Sequence, residues 1–111
     1  MDDCALLYPP QWAYVFGQTL LPGCGAGVAC HASDQAAGAV GGLVFDASTR
    51  AYARLLAGPR PLVVAGDPWC SPLILRLESE DPAFRMPPGN TALAAGARCS
   101  IARWISDGAL P

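Results

Sequence analysis

Residues 22–33 read PGCGAGVACHAS and contain the only histidine of the chain, His31, directly after Cys30. Cys24 lies six positions before Cys30, and glycine and alanine dominate the residues between them. Covalent haem attachment uses two cysteines with a histidine directly after the second one. The usual gap between the two cysteines is two residues. The gap here is five residues, and the glycines within it permit a tight bulge. The segment alone is consistent with a haem attachment site or with a disulfide loop that ends in histidine.

The whole chain has 111 residues, which predicts a single domain spanning 1–111. A domain of this size buries about two-thirds of its unfolded surface, so a cofactor or a disulfide would add useful stability. Charged residues make up 14% of the chain, the formal net charge is −2 and there is no lysine, so nucleic acid is not an expected partner. No apolar run approaches the roughly 20 residues of a transmembrane helix, so no membrane span is expected.

Four stretches carry the start and stop signals of short helices, so the predicted fold is mainly α with one long loop. The predicted starts are Pro9-Pro10, Ser48 as an N-cap, Ser71-Pro72 and about Thr91, and the predicted stops include Pro22-Gly23, Gly58 and Gly108. Apolar residues recur at helical spacing, with Trp12, Val15, Phe16, Thr19 and Leu20 on the first helix, Tyr52, Leu55 and Leu56 on the second, Leu73, Ile74 and Leu77 on the third, and Ala97, Ile101, Trp104 and Ile105 on the last. Prolines flank residues 62–65 and predict an extended connector there.

Met86 lies in the proline-dense loop 81–90, within the segment Arg85-Met86-Pro87-Pro88-Gly89. The two prolines restrict the backbone on its C-terminal side. Histidine and methionine are the axial ligand pair of electron-transfer haem. A methionine is more commonly a gap-filling core residue. The flanking arginine and Pro-Pro-Gly make an unusual core position, which favours a ligand role for Met86.

From about residue 12 to residue 109 the chain resembles a small class I c-type cytochrome, and it is most similar to planctomycete-type cytochrome c. The most specific matching pieces are Gly66-Asp67-Pro68 with Ser71 and Leu73, the Arg85 to Gly89 segment, and Trp104-Ile105 with Gly108-Ala109. The resemblance implies a cytochrome c-like fold, with about four short helices around one haem and a proline-rich loop bearing the methionine.

The same resemblance implies that Cys24 and Cys30 carry haem c and that His31 and Met86 bind its iron from opposite faces. Because the cysteine spacing departs from the family pattern, attachment through Cys30 alone and through both thiols remain open. The implied function is mono-haem electron transfer without enzymatic activity, and the implied partners are redox proteins. We expect a monomer that is periplasmic or otherwise exported, with a leader that this chain does not include.

Three further cysteines lie outside the haem pattern. Cys70 and Cys99 are 29 positions apart and enclose Met86, and we expect a disulfide between them that stabilises by about 3–4 kcal/mol. Two buried free thiols are the alternative. Cys4 is then left over as a lipid-anchor remnant, as a free thiol, or as a partner for Cys24 if no haem is bound.

Two other functions are consistent with the sequence. One is a haem-free helical module stapled by disulfides, which binds a partner while Cys24 and Cys30 close a small loop. The other is a haem protein for peroxidase or ligand-sensing work, which requires that Met86 leave the iron open. A zinc site is poorly supported, since one histidine with scattered cysteines has no paired ligand spacing. Three arginines are candidates to neutralise the haem propionates: Arg85, Arg98 and Arg103. Tyr52 is a candidate to donate a hydrogen bond to a propionate.

Overall fold

The computed structural model describes residues 4–24, 47–57, 59, 61–81, 83–86 and 92–111, with the backbone alone at residues 23 and 24. Across these ranges the chain is mainly helical and has no strand, which confirms the predicted fold class. The helices share one buried apolar core, to which the first and last helices contribute most of the buried side chains.

The first helix, α1, begins as an α-helical turn over Trp12–Tyr14 and continues as a π-helix over Val15–Cys24. All five residues of its predicted apolar face are buried. The predicted stop at Pro22-Gly23 is wrong, because both residues lie within the π-helix. A proline removes one backbone hydrogen bond, and here the loss falls in the last turn, where the helix ends two residues later.

The second helix, α2, spans Ser48–Leu56. Its N-cap is Ala47, so the predicted capping role of Ser48 is wrong. The Ser48 hydroxyl instead accepts a hydrogen bond of 2.9 Å from the indole N–H of Trp12, which joins the starts of α1 and α2. Leu55 is fully buried, as its place on the predicted apolar face requires. The predicted stop, Gly58, lies outside the described residues.

A connector follows whose residues 61–67 have neither helix nor strand and include a turn at Ala65-Gly66. It leads through a 3₁₀ turn over Pro68–Cys70 into α3, which spans Pro72–Glu78. The N-cap of α3 is Ser71, and Pro72 is its first residue, which confirms the predicted start. The fully buried Ser71 hydroxyl does not bond to its own helix. It donates to the carbonyl of Asp67 at 2.9 Å and accepts from the N–H of Val64 at 2.8 Å, so it holds the connector against α3.

The last helix, α4, spans Ala95–Ser106, and its predicted apolar stripe is buried. Asp107 is its C-cap, and the predicted stop signal, Gly108, follows with a φ of +112°, in the left-handed region that favours glycine. Trp104 packs on Trp12 with ring centroids 5.2 Å apart, so the two terminal helices meet through these indoles. Tyr52 donates its hydroxyl hydrogen to the carbonyl of Ala109 at 2.8 Å, which gives this residue a packing role.

The segment before α1, residues 4–10, lies across α4, and we refer to it as the N-terminal strap. The buried Ser100 hydroxyl accepts hydrogen bonds from the N–H groups of Leu7 (3.0 Å) and Tyr8 (3.2 Å) and donates to the carbonyl of Tyr8 (2.9 Å). Leu7 also donates its N–H to the carbonyl of Gly96. A Cβ atom added at Gly96 would lie 3.0 Å from the Cβ of Leu7, so the missing side chain permits this close approach.

Candidate functional site

In the predicted methionine-bearing loop, Asp81 accepts the hydrogen bonds that hold the turn together. In residues 81–86, which we call the methionine loop, the Asp81 carboxylate accepts the N–H of Ala83 at 2.9 Å. The Asp81 carbonyl accepts the N–H groups of Phe84 at 3.0 Å and Arg85 at 2.8 Å. These bonds close a tight turn immediately before Met86.

Met86 lies at the edge of the core. Its N–H donates to the carbonyl of Arg76 in α3 at 3.0 Å, and its half-buried side chain packs against the core residues. A thioether is a soft ligand on a flexible side chain, and the backbone bond to α3 restricts where this one lies. Residues 87–91, which include the two prolines, lie outside the described residues.

Arg76 makes two further contacts with the methionine loop. Its guanidinium donates to the carbonyl of Phe84 at 3.1 Å and lies over the ring of Phe84, 4.0 Å from the ring centroid. The role of Arg76 could not be predicted from the sequence, because one arginine in a short amphipathic helix carries no signal of its tertiary partners.

The side chains of the remaining predicted site residues are outside the part of the chain that the structure describes. Only the backbone of Cys24 is described, as the last residue of the π-helix, and Cys30 and His31 are not described. Covalent attachment through Cys24 and Cys30 and iron binding by His31 therefore stay predictions.

A disulfide joins Cys4 to Cys99, so the predicted Cys70–Cys99 bridge is wrong. The two Cα atoms lie 5.9 Å apart, within the usual range for a disulfide. The physical reason is the N-terminal strap, whose hydrogen bonds to Gly96 and Ser100 bring Cys4 beside Cys99. Because its sulfur is used in this bond, Cys4 is not the left-over cysteine that we expected, and it is not available to Cys24 or to a lipid.

Cys70 is a free, exposed thiol at the end of the 3₁₀ turn. The Asp67 carboxylate accepts a hydrogen bond from this thiol and repels the thiolate, and both effects raise the pKa of Cys70, with a smaller contribution from desolvation. The same carboxylate accepts the N–H of Cys70 at 3.2 Å. Asp67 is thus a turn residue, as its position before proline indicates.

Of the three arginines considered for haem propionates, Arg98 pairs with Glu78 at 3.1 Å and so joins α4 to α3. Arg85 is half-buried and adjoins Met86 in the chain, which keeps it a candidate. In the described ranges no helix is both long and apolar enough to cross a membrane.

A helical domain with a methionine held at its core edge by a tight turn is consistent with the cytochrome c class. The model of the planctomycete cytochrome c family matches residues 28–90, more than half of the chain, and the protein belongs to this family. The matched segment contains Cys30, His31 and Met86 and leaves Cys24 outside. No curated protein and no solved structure matches the chain. Membership indicates a haem-binding, electron-transfer role and implies covalently bound haem c.

The described residues fit a haem at the methionine. Met86 presents a neutral thioether at the border of an apolar core, and both its backbone and the turn before it are held by hydrogen bonds. A neutral sulfur ligand paired with an imidazole is the donor set of electron-transfer haem.

Proposed function

We propose that this chain is a mono-haem c-type cytochrome that carries electrons as a single domain, with His31 and Met86 as the axial ligands. The haem, when bound, supplies one-electron chemistry, and the protein performs no bond-making or bond-breaking step. The observation that carries the proposal is the half-buried Met86, tied to α3 and lying in the same family match as His31.

The chain's own residues have three tasks in this function. The buried core that the helices share would lower the dielectric around the group, and this burial together with a sulfur ligand would raise the reduction potential. The methionine loop orients the thioether. Cys30, alone or with Cys24, would hold the group covalently, so that it is retained through cycles of oxidation and reduction.

Surface charge and redox compartment complete the proposal. A formal net charge of −2 with only 14% charged residues favours docking to redox partner proteins through an apolar surface instead of through strong electrostatic steering. The Cys4–Cys99 disulfide favours an oxidising location, such as the periplasm. We expect the protein to act as a monomer.

Expression in cells competent for covalent haem attachment tests the proposal. A red protein whose intact mass is raised by one haem, with a weak charge-transfer band at the red end of the oxidised spectrum, is the expected result. Met86→Ala should remove that band. Leu93→Ala is the matched control, because it also shortens a partly buried side chain packed against the core, and it should keep the band. A colourless protein from these cells would exclude electron transfer and favour the haem-free module.

The number of thioether bonds needs its own measurement. The spectrum of the denatured pyridine adduct reports how many vinyl groups are saturated, and Cys24→Ala and Cys30→Ala assign them to residues. If Cys30 alone is attached, Cys24→Ala leaves both the adduct spectrum and the covalent haem unchanged.

A further inference from the structure

Arg76 contacts the methionine loop through both its side chain and its backbone. Its side chain donates to the carbonyl of Phe84 and stacks on the ring of Phe84, and its own carbonyl accepts the N–H of Met86. One residue of α3 thus holds the loop at two positions, two residues apart.

Two charged side chains of α3, Arg76 and Glu78, contact different neighbouring segments. Glu78 pairs with Arg98 and so ties α3 to α4. Arg76 ties α3 to the methionine loop. The planar guanidinium can donate to a carbonyl and lie over a ring at the same time, which the ammonium of lysine does less well.

Restraint of this loop matters because a neutral thioether is a weak ligand for oxidised haem iron. A weak ligand stays bound when the chain presents it already in place, since little conformational entropy is then lost on binding. A loop that moves freely loses this advantage, and an external ligand competes better for the same position on the iron.

We propose that Arg76 is a positioning residue for the axial methionine, which keeps Met86 on the iron by clamping the methionine loop to α3. This inference rests on the proposed function, since it requires Met86 to be a ligand. Arg76 acts only through Phe84 and the backbone of Met86 and does not itself bind the haem.

The test uses the haem-loaded protein and imidazole as the competing ligand. Because one lost hydrogen bond to a charged group, partly screened by solvent, changes an equilibrium by roughly fivefold to tenfold, Arg76→Gln should bind imidazole roughly fivefold to tenfold more tightly in the oxidised state. Its charge-transfer band should weaken. Arg76→Lys keeps the cation but not the planar fork and should lie between Arg76→Gln and the unmodified protein. Amide exchange at Met86 should become faster in Arg76→Gln, which is a readout independent of electron transfer.

Arg98→Gln is the matched control, since it removes the same charge and also breaks a contact of α3, the ion pair of Glu78 with Arg98 of α4. It should lower the unfolding midpoint and leave the imidazole affinity unchanged. If Arg76→Gln and Arg76→Lys lose stability as Arg98→Gln does, yet bind imidazole like the unmodified protein, Arg76 is merely structural and the inference is wrong. If Met86→Ala also binds imidazole like the unmodified protein, the methionine is not a ligand and the proposed function itself fails.

Discussion

Removal of the Cys4–Cys99 disulfide should destabilise the protein by several kcal/mol. The bond closes a loop with a sequence separation of 95 residues. In the chain-entropy model such a cross-link restricts the unfolded chain by about 4.7 kcal/mol at 25 °C. Single domains have total stabilities of about 5–15 kcal/mol, so the loss would be a third of the total or more. The strap keeps its hydrogen bonds to Ser100 in the folded state, so the effect falls mainly on the unfolded chain.

The assay is urea unfolding of the oxidised protein and of Cys4→Ser/Cys99→Ala. With a slope of about 2 kcal/mol per molar urea, the midpoint should fall by about 2 M. Cys70→Ser is the matched control, and because the Cys70 thiol is free and exposed, its midpoint should not change. Alkylation followed by peptide mapping, without reduction, should label Cys70 and leave Cys4 and Cys99 unlabelled.

The opposite pattern would refute the reasoning. A midpoint that falls in Cys70→Ser as much as in Cys99→Ala, together with a neutral Cys4→Ser, would mean that Cys99 pairs with Cys70. If Cys4→Ser/Cys99→Ala has the same urea midpoint as the unmodified protein, the disulfide contributes nothing to the free energy of unfolding.

Three smaller perturbations test the packing and the free thiol. Ser100→Ala removes three hydrogen bonds to the strap and should cost about 3 kcal/mol in urea unfolding; a change below about 0.5 kcal/mol would show that the strap is not held there. Thr19→Val removes the buried 2.6 Å hydrogen bond to the Tyr8 hydroxyl and should cost about 1 kcal/mol, whereas an unaltered midpoint would argue against that bond. Asp67→Asn should lower the pKa of Cys70, since the carboxylate raises it. The thiolate fraction at neutral pH then rises, so alkylation of Cys70 should be faster in this variant, and an equal or slower rate at the same pH would contradict the assigned cause.

In the candidate site, the irregular backbone of the methionine loop could be predicted from the sequence, but its contacts with α3 could not. Proline density predicts an irregular segment around Met86, and the structure has a turn there. The contacts of Arg76 with this turn could not be predicted, because they join α3 to a loop through a backbone carbonyl and a ring. For haem attachment, the sequence signals are the spacing of Cys24, Cys30 and His31 and the family match, which includes Cys30 and His31.

By itself the sequence determined the helical class of this protein and most of the buried faces. The reason is that helical spacing, prolines and a terminal glycine such as Gly108 act within a few residues of the chain. Only the tertiary structure decided the partners of Ser48, Ser71 and Cys99. A hydroxyl or a thiol can bond to any group that comes within reach, and the packing of the strap and connector against the helices decides which group that is.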